Sequence, residues 1–270
     1  MQLSISNIAW DIKNDIKVSE ILASNDISCI DIAPGKYFSN PNEVSAKEVV
    51  KVKSFWGEHG IKVAGMQALL FGTKNLNIFG DLNCQRAMLS HLDSICRIAY
   101  HLESNFLVFG SPKNRDISGV ESEKVNDIAI DFFNKLGDIA AKYGVYFCIE
   151  PNPECYESNF MMNSIDTLNI VKKTNHPNIK MQLDTGAITI NNESIDNIIS
   201  MTLNQIGHIH ISEPNLKVVG DLNTNHTLYA NAIKNKLLDK TICIEMLSDK
   251  NDKNFNSIRR ALEYVKKIYK

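Results

Sequence analysis

The sequence lacks any long apolar run, since none of its hydrophobic stretches approaches the roughly 18 residues that a helix needs to cross a bilayer. Its first residues, MQLSISNIAWDIKND, contain no basic segment followed by a long apolar one, which argues against a secretory leader. The six cysteines have no CxxC spacing, and three lie inside apolar runs, so free thiols in a reducing compartment are expected. We therefore predict a cytoplasmic protein with no membrane partner.

An excess of charge of one sign is also missing. With 29 basic and 31 acidic residues, the formal net charge is -2, and such a chain has no overall field to attract a polyanion. Glycine is absent from the segment Asn7 to Trp10 after the first apolar run, where a doubly wound nucleotide-binding sheet usually has a glycine-rich phosphate turn. We therefore expect a small-molecule partner and no nucleic acid.

The chain does contain a regular series of short, β-rich apolar runs separated by stretches of helical periodicity. In the stretch 125–144, for example, Ile128, Phe132 and Leu136 recur at four-residue steps before Gly144. Continuously apolar strands separated by helices favour parallel pairing with both faces covered, and α/β barrels commonly use about 250 residues. We predict one α/β domain over residues 1–270, a single (β/α)8 TIM barrel, with the open sheet as the alternative. The eight runs span residues 3–9, 27–33, 62–70, 106–110, 145–150, 179–184, 206–212 and 242–247.

Four of these runs carry metal-binding side chains at or near their carboxyl ends. Glu150 and Asp184 close the fifth and sixth runs, His208 and His210 lie in the seventh, and Glu245 lies in the eighth. The carboxyl ends of barrel strands form the active site, and unpaired carboxylates are costly to bury there. We therefore predict one divalent cation, with Mn²⁺ as first choice and Mg²⁺ or Co²⁺ as alternatives. Its predicted ligands are Glu150, Asp184, His210 and Glu245.

Each of these residues taken alone has a simpler interpretation. A single acid is as well explained by solvent exposure or by a salt bridge to a nearby lysine. His208 and His210 point to the same face of a strand, so one of them is a candidate for a hydrogen-bonded histidine behind the site. We chose His210 as the ligand because it lies nearer the end of the strand.

The motifs CIEPNP, QLDTGA, HIHISEP and ICIEML together resemble the metal-binding motifs of the xylose-isomerase-like barrels. Within that superfamily they are similar to the sugar (phosphate) isomerases and epimerases typified by the ketose 3-epimerases, and the similarity covers essentially the whole chain. The resemblance implies that Glu150 and Glu245 are an acid–base pair as well as metal ligands. It also implies a homodimer or homotetramer.

The chemistry implied by this resemblance is metal-dependent isomerisation or epimerisation of a sugar or sugar derivative. A cation bound to a carbonyl and a neighbouring hydroxyl acidifies the C–H between them and stabilises an enediolate, while a carboxylate on each face moves the proton. A keto-sugar or cyclic polyol dehydratase uses the same intermediate and is the nearest alternative. A sugar-binding barrel without catalysis is another. An endonuclease acting at abasic sites is disfavoured, because the chain has only seven histidines for a three-zinc cluster.

Three positions depart from the ketose 3-epimerase pattern. Gly186 or Ala187 stands where these enzymes have a substrate-binding histidine, and Tyr156 stands where they have a second glutamate. Lys217 takes the place of an arginine after the seventh strand. The metal ligands are therefore expected to be retained while the residues that recognise the sugar differ.

Candidate substrate-binding residues surround these motifs. Lys113 and Arg115 suit a phosphate or carboxylate, which predicts an anionic or otherwise decorated sugar, although solvated loop cations explain them equally well. Trp10 and Phe71 are candidates for an apolar wall, with core packing as the alternative. His226 follows Asn225, so its alternative role is to cap a helix. The further candidates are Gln67, Asn152, Glu213, Lys217 and His226.

Overall fold

The computed structural model describes residues 1–252 and 254–270 and contains a closed barrel of eight parallel strands. Each strand pairs with its sequence neighbours, and β1 closes the barrel against β8 through the pairs Gln2–Thr241 and Ser4–Cys243. The predicted (β/α)8 fold is thereby confirmed. The strands are β1 (Gln2–Ser6), β2 (Cys29–Ile32), β3 (Lys62–Met66), β4 (Phe106–Phe109), β5 (Tyr146–Ile149), β6 (Ile179–Asp184), β7 (Ile206–Ser212) and β8 (Thr241–Glu245).

Helices surround the barrel, and their ends follow local sequence signals. Ser45 and Glu48 form a reciprocal capping box at the start of the second helix. Gly144 ends the fourth helix with a φ of 68°, a left-handed conformation that glycine adopts without steric cost. Within the described residues, no helix is both long and apolar enough to cross a membrane. The helices are α1 (Asp15–Ser24), α2 (Ala46–Glu58), α3 (Leu82–Leu102), α4 (Ser122–Tyr143), α5 (Ser164–Thr174), α6 (Thr185–Ile190), α7 (Ile195–Thr202), α8 (His226–Lys236) and α9 (Asn256–Tyr269).

Six of the eight strands end earlier than the apolar runs that predicted them, and the difference is largest at β3. The third run extends to residue 70, but β3 stops at Met66, and Ala68 has a φ of 53°, which is incompatible with a continuing strand. The eighth run extends to residue 247, but β8 stops at Glu245. The segment 67–81 therefore forms a long connection between β3 and α3, on the face where the strands end.

One glycine of α4 lies where another part of the chain comes unusually close. A Cβ atom on Gly137 would overlap the imidazole ring of His176, which follows α5. His176 is also held in place, because its Nδ1 accepts a hydrogen bond from the backbone N–H of Asn178 at 3.1 Å. Packing therefore overrides the usual preference for alanine inside a helix.

We expect Gly137→Ala to lower the free energy of unfolding by about 1–2 kcal/mol, because the overlap costs more than the gain in helix propensity. Gly57→Ala in α2 is the matched control, since no atom lies within 4 Å of its added Cβ. That substitution should raise the free energy of unfolding by up to about 1 kcal/mol. Urea denaturation of the two variants measures both values, and equal stabilisation by both would refute the packing argument.

Candidate metal centre

The four predicted metal ligands meet at one end of the barrel. Glu150 directly follows β5, Asp184 and Glu245 are the last residues of β6 and β8, and His210 lies in β7. One donor atom from each of these side chains lies within 4.8 Å of the others. The Nδ1 atom of His210 is 3.1 Å from Glu150 Oε1 and 3.2 Å from Glu245 Oε2. Three carboxylates and one imidazole thus form a compact donor set.

Three carboxylates concentrate negative charge in this cluster and shift the pKa values of its members. Burial, with the carboxylates of Glu150 and Glu245, raises the pKa of Asp184 to about 7. Burial disfavours the charged form of His210, but Glu245 and Glu150 outweigh it and hold the pKa of His210 well above its usual value. Burial also opposes ionisation of Glu245, yet His210 lowers the pKa of that carboxyl. The cluster therefore favours an added positive charge.

Neighbouring groups fix the orientation of the carboxylates. Gln67 Nε2 donates a hydrogen bond to Glu245 Oε1 at 2.6 Å, and Asn152 Nδ2 donates to Glu150 Oε2 at 3.3 Å. Gly110 directly follows β4, and any Cβ atom at this position would overlap the Glu150 carboxylate. Gln67 and Asn152, both predicted as substrate contacts, thus touch the two candidate catalytic glutamates directly.

Asp184 has a structural role as well as a place in the donor set. Its Oδ1 caps α6 by accepting from the backbone N–H of Ala187 at 2.5 Å, and its Oδ2 accepts from Ser212 Oγ at 2.7 Å. The preorganised cap explains why a six-residue helix starts directly at the end of β6.

A second hydrogen-bonded cluster lies inside the barrel behind the donor set. His208 Nε2 is 2.7 Å from Asp31 Oδ2, and Ser4 Oγ donates to Asp31 Oδ1 at 2.8 Å. Burial would raise the pKa of Asp31, but His208 more than compensates and lowers it. His208 is thus a core histidine paired with an acid. Asp31 was missed at the sequence level, although an acid within the apolar strand CIDI was a visible signal.

Two adjoining cavities open onto Glu150 and Glu245. The first has a volume of about 400 Å³ and is walled by prolines, Tyr156, Asn152 and Glu213, and by Gly186 and Ala187. The second has a volume of about 380 Å³ and is mainly apolar. Both include Gly110, Glu150, Leu216 and Glu245 in their walls. A ligand placed at the donor set therefore has space on two sides.

The structure corrects the prediction that Arg115 meets a substrate anion. Its side chain is fully buried, and Nη1 donates to the backbone carbonyl oxygen of Glu150 at 2.8 Å. Burial lowers the pKa of the guanidinium to about 10. Arg115 thus supports the backbone of Glu150 from behind. Lys113 has a side chain 84% exposed with its Nζ 3.9 Å from Glu157, and neither it nor the exposed Lys217 forms part of either cavity wall.

His226 is also placed differently from the prediction. It is fully buried, with Nε2 at 3.2 Å from Glu213 Oε1 and Nδ1 at 2.9 Å from the hydroxyl of Tyr269. The cap of α8 comes from Asn225, whose side chain accepts from the backbone N–H of Leu228. His226 therefore holds Glu213, which does line the first cavity, and does not itself reach the substrate space.

One known protein is similar in sequence to part of this chain. A relative, the D-psicose 3-epimerase of Ruminiclostridium cellulolyticum, is 29% identical over 92 residues, which make up 34% of this chain and 31% of that protein. The alignment thus spans about a third of the relative's length.

Solved structures resemble the whole chain at low sequence identity. The D-psicose 3-epimerase from Clostridium cellulolyticum H10, determined with D-tagatose, has a TM-score of 0.83 and 18% identity over all of both chains. The 3-keto-D-glucoside 4-epimerase from E. coli has a TM-score of 0.80 and 13% identity over 99% of each chain. The D-allulose 3-epimerase from Methylomonas sp. has a TM-score of 0.76 and 19% identity over 100% of this chain and 97% of that one. These likenesses support the fold.

A family model matches residues 20–268 of this chain, and the family is described as the xylose isomerase-like TIM barrel. That match covers nearly the entire chain, in agreement with the resemblance found in the four motifs. The chain therefore belongs to the xylose isomerase-like TIM barrel family.

Proposed function

We propose that this chain is a divalent-metal-dependent epimerase or isomerase of a sugar or sugar derivative. The observation that carries the proposal is the pair Glu150 and Glu245, which come from β5 and β8, share His210 Nδ1 at 3.1 and 3.2 Å, and line both cavities. The relative and the similar structures are named as sugar epimerases, which adds support for this class of reaction.

The donor set fits a hard divalent cation. Three carboxylates supply oxygen ligands and one buried imidazole supplies nitrogen, a combination that suits Mn²⁺ first and also Mg²⁺ or Co²⁺. Glu150, Asp184, His210 and Glu245 would hold the ion. When bound, it would polarise a substrate carbonyl and stabilise the negative charge that develops as the adjacent carbon loses a proton.

The protein's own groups supply the proton transfers. Glu150 and Glu245 both line the two cavities, and each is oriented by one amide, from Asn152 and Gln67 respectively. One removes the proton from the carbon next to the carbonyl, and the other returns a proton to the opposite face in an epimerase. Return to the neighbouring carbon gives an isomerase instead.

The remaining expectations belong to the same proposal. A small keto-sugar is the proposed partner, and the basis for expecting no nucleic acid is the balanced charge of the chain. Assembly as a homodimer or homotetramer and a place in the cytoplasm remain predictions.

Metal binding is tested by its effect on stability. We expect saturating Mn²⁺ to raise the free energy of unfolding by about 2.7 kcal/mol at a hundredfold excess over the dissociation constant. Asp184→Asn should remove most of this gain, because the amide retains the cap of α6 but loses the ligand charge. Thermal denaturation and bound metal per chain, before and after chelation, measure the effect.

The matched control for that variant is Asp81→Asn. Asp81 caps α3 by accepting from the backbone N–H of Cys84 at 2.8 Å and is exposed. The Asp81→Asn variant should show the full increase in the free energy of unfolding when Mn²⁺ is added. An equal response in both variants would rule out Asp184 as a ligand.

Proton exchange tests the reaction itself. In D₂O with Mn²⁺, the wild-type protein should place deuterium on a carbon of its keto-sugar substrate. Glu150→Gln and Glu245→Gln should each slow this exchange by about 10²–10⁴-fold, because an amide cannot act as a base. NMR or mass spectrometry of a panel of keto-sugars measures the rate.

Glu154→Gln is the control for the exchange experiment, because Glu154 is an exposed acid on the same loop as Glu150 and lies outside both cavity walls. It should retain the wild-type rate. Loss of water from the sugar would identify a dehydratase instead. Tight binding without exchange or conversion would contradict the enzyme and favour a sugar-binding barrel.

A further inference from the structure

The second cavity, called here the apolar arm, extends from Glu150 and Glu245 toward the β3–α3 connection. Its side chains include Ile8, Leu69, Leu70, Phe71, Val108 and Leu247. We propose that this arm selects a keto-sugar with an apolar end, one that carries hydrogen or a hydrocarbon group where a common ketohexose carries a hydroxyl. The inference rests on the proposed function, since it specifies which sugar reaches the same two glutamates.

Polar groups in the arm are few, and one of them has no hydrogen-bond partner. Gln67 is 5% exposed; its Nε2 is committed to Glu245, and its Oε1 is buried without a hydrogen-bond partner. Because the glutamate carboxylate only accepts, the amide nitrogen must face it, and this leaves Oε1 as a free acceptor. Ser111 also lines the arm, but its Oγ donates to Asn114 Oδ1 at 2.5 Å. Apart from the two glutamates, Gln67 and Ser111 are therefore the only polar side chains in the described wall of the arm, and the rest of its side chains are apolar.

A hydroxyl farther along the arm would lose its hydrogen bonds to water without replacement. Leu69 and Leu70 belong to the wall of the arm, and their side chains offer no hydrogen bond to a group packed against them. A buried hydroxyl without a partner weakens binding by an amount comparable to a lost hydrogen bond. A hydrogen or methyl group at that position instead gains from burial.

The charges around the arm exclude a phosphate. Neither cavity has lysine, arginine or histidine in its described wall, whereas Glu150, Glu245, Asp184 and Glu213 are all present in one or both. The three carboxylates of the donor set carry more negative charge than a divalent cation neutralises. An anionic end would therefore be repelled, which revises the expectation of an anionic sugar based on Lys113 and Arg115.

The mouth of the arm is also apolar. Phe71 is 86% exposed and Leu247 is 50% exposed, and both belong to its wall. Large apolar side chains left open at the rim of a binding cavity suit contact with a hydrocarbon group of the ligand. The arm therefore has room for either a deoxy carbon or a longer apolar substituent.

Binding to matched ligands tests the inference without relying on turnover. The probes are D-psicose, its deoxy and phosphate derivatives at carbon 1 and at carbon 6, and 6-O-benzyl-D-psicose, each titrated calorimetrically into the Mn²⁺-loaded protein. At one end of the sugar, the deoxy derivative should bind about tenfold more tightly than D-psicose, and the phosphate at that end at least about tenfold more weakly. If the benzyl ether binds more tightly than D-psicose, the apolar end of the substrate is an extended hydrocarbon substituent. If only a deoxy sugar binds more tightly than D-psicose, the apolar end is a deoxy carbon.

Leu247→Ser should bring the deoxy and parent dissociation constants to within about twofold of each other, because it places a hydroxyl in the arm. Leu238→Ser is the control, since Leu238 is 60% exposed and lies outside both cavities; it should keep the tenfold preference. A phosphate that binds as well as D-psicose, a lack of preference for either deoxy sugar, or no binding of any probe would overturn the inference.

Deuterium exchange, measured separately on the same probes, keeps the two proposals distinguishable. Exchange with the wrong order of affinities refutes the apolar arm alone. The predicted order of affinities without exchange or conversion supports the arm and refutes the proposed reaction.

Discussion

Burial of three carboxylates beside a single histidine at the ends of β5 to β8 is the constraint around which this structure is organised. Burial, together with repulsion from Glu150 and Glu245, raises the pKa of Asp184 to about 7, whereas attraction to Glu245 and Glu150 holds the pKa of His210 well above its usual value. A barrel with hydrophobic side chains in place of these four groups would be more stable. Their presence therefore makes sense for a site that holds a cation.

Several otherwise unrelated features support the same cluster. The amides of Gln67 and Asn152 donate to the two glutamates, Ser212 and the start of α6 donate to Asp184, and Arg115 supports the backbone of Glu150. Behind them, His208 Nε2 pairs with Asp31 Oδ2 in the barrel interior. Such contacts restrict the rotation of the donors before any ligand arrives, which reduces the ordering cost of binding.

The parts that were predictable from the sequence are those set by periodicity and chain order. The eight apolar runs led to the barrel, and parallel strands necessarily bring Glu150, Asp184, His210 and Glu245 to one end. The direction of a loop side chain has no such rule. Arg115 therefore turned inward and His226 packed behind Glu213, while Asp31 escaped notice because an isolated acid in a strand does not reveal its partner.

This difference also separates the chemistry from the choice of substrate. The donor set comes from strand ends, whose positions are fixed by the hydrogen bonds of the whole barrel, whereas Leu69, Phe71 and Leu247 lie in the segments that follow strands. Loop residues can change without disturbing strand pairing, so one donor set is compatible with many sugars. Tyr156 and Gly186 line one cavity, and Gln67 lines the apolar arm, so under our proposal these are the places that select the substrate. The close likeness of its barrel to those of several epimerases carries information about the fold, while these loop residues carry the information about specificity.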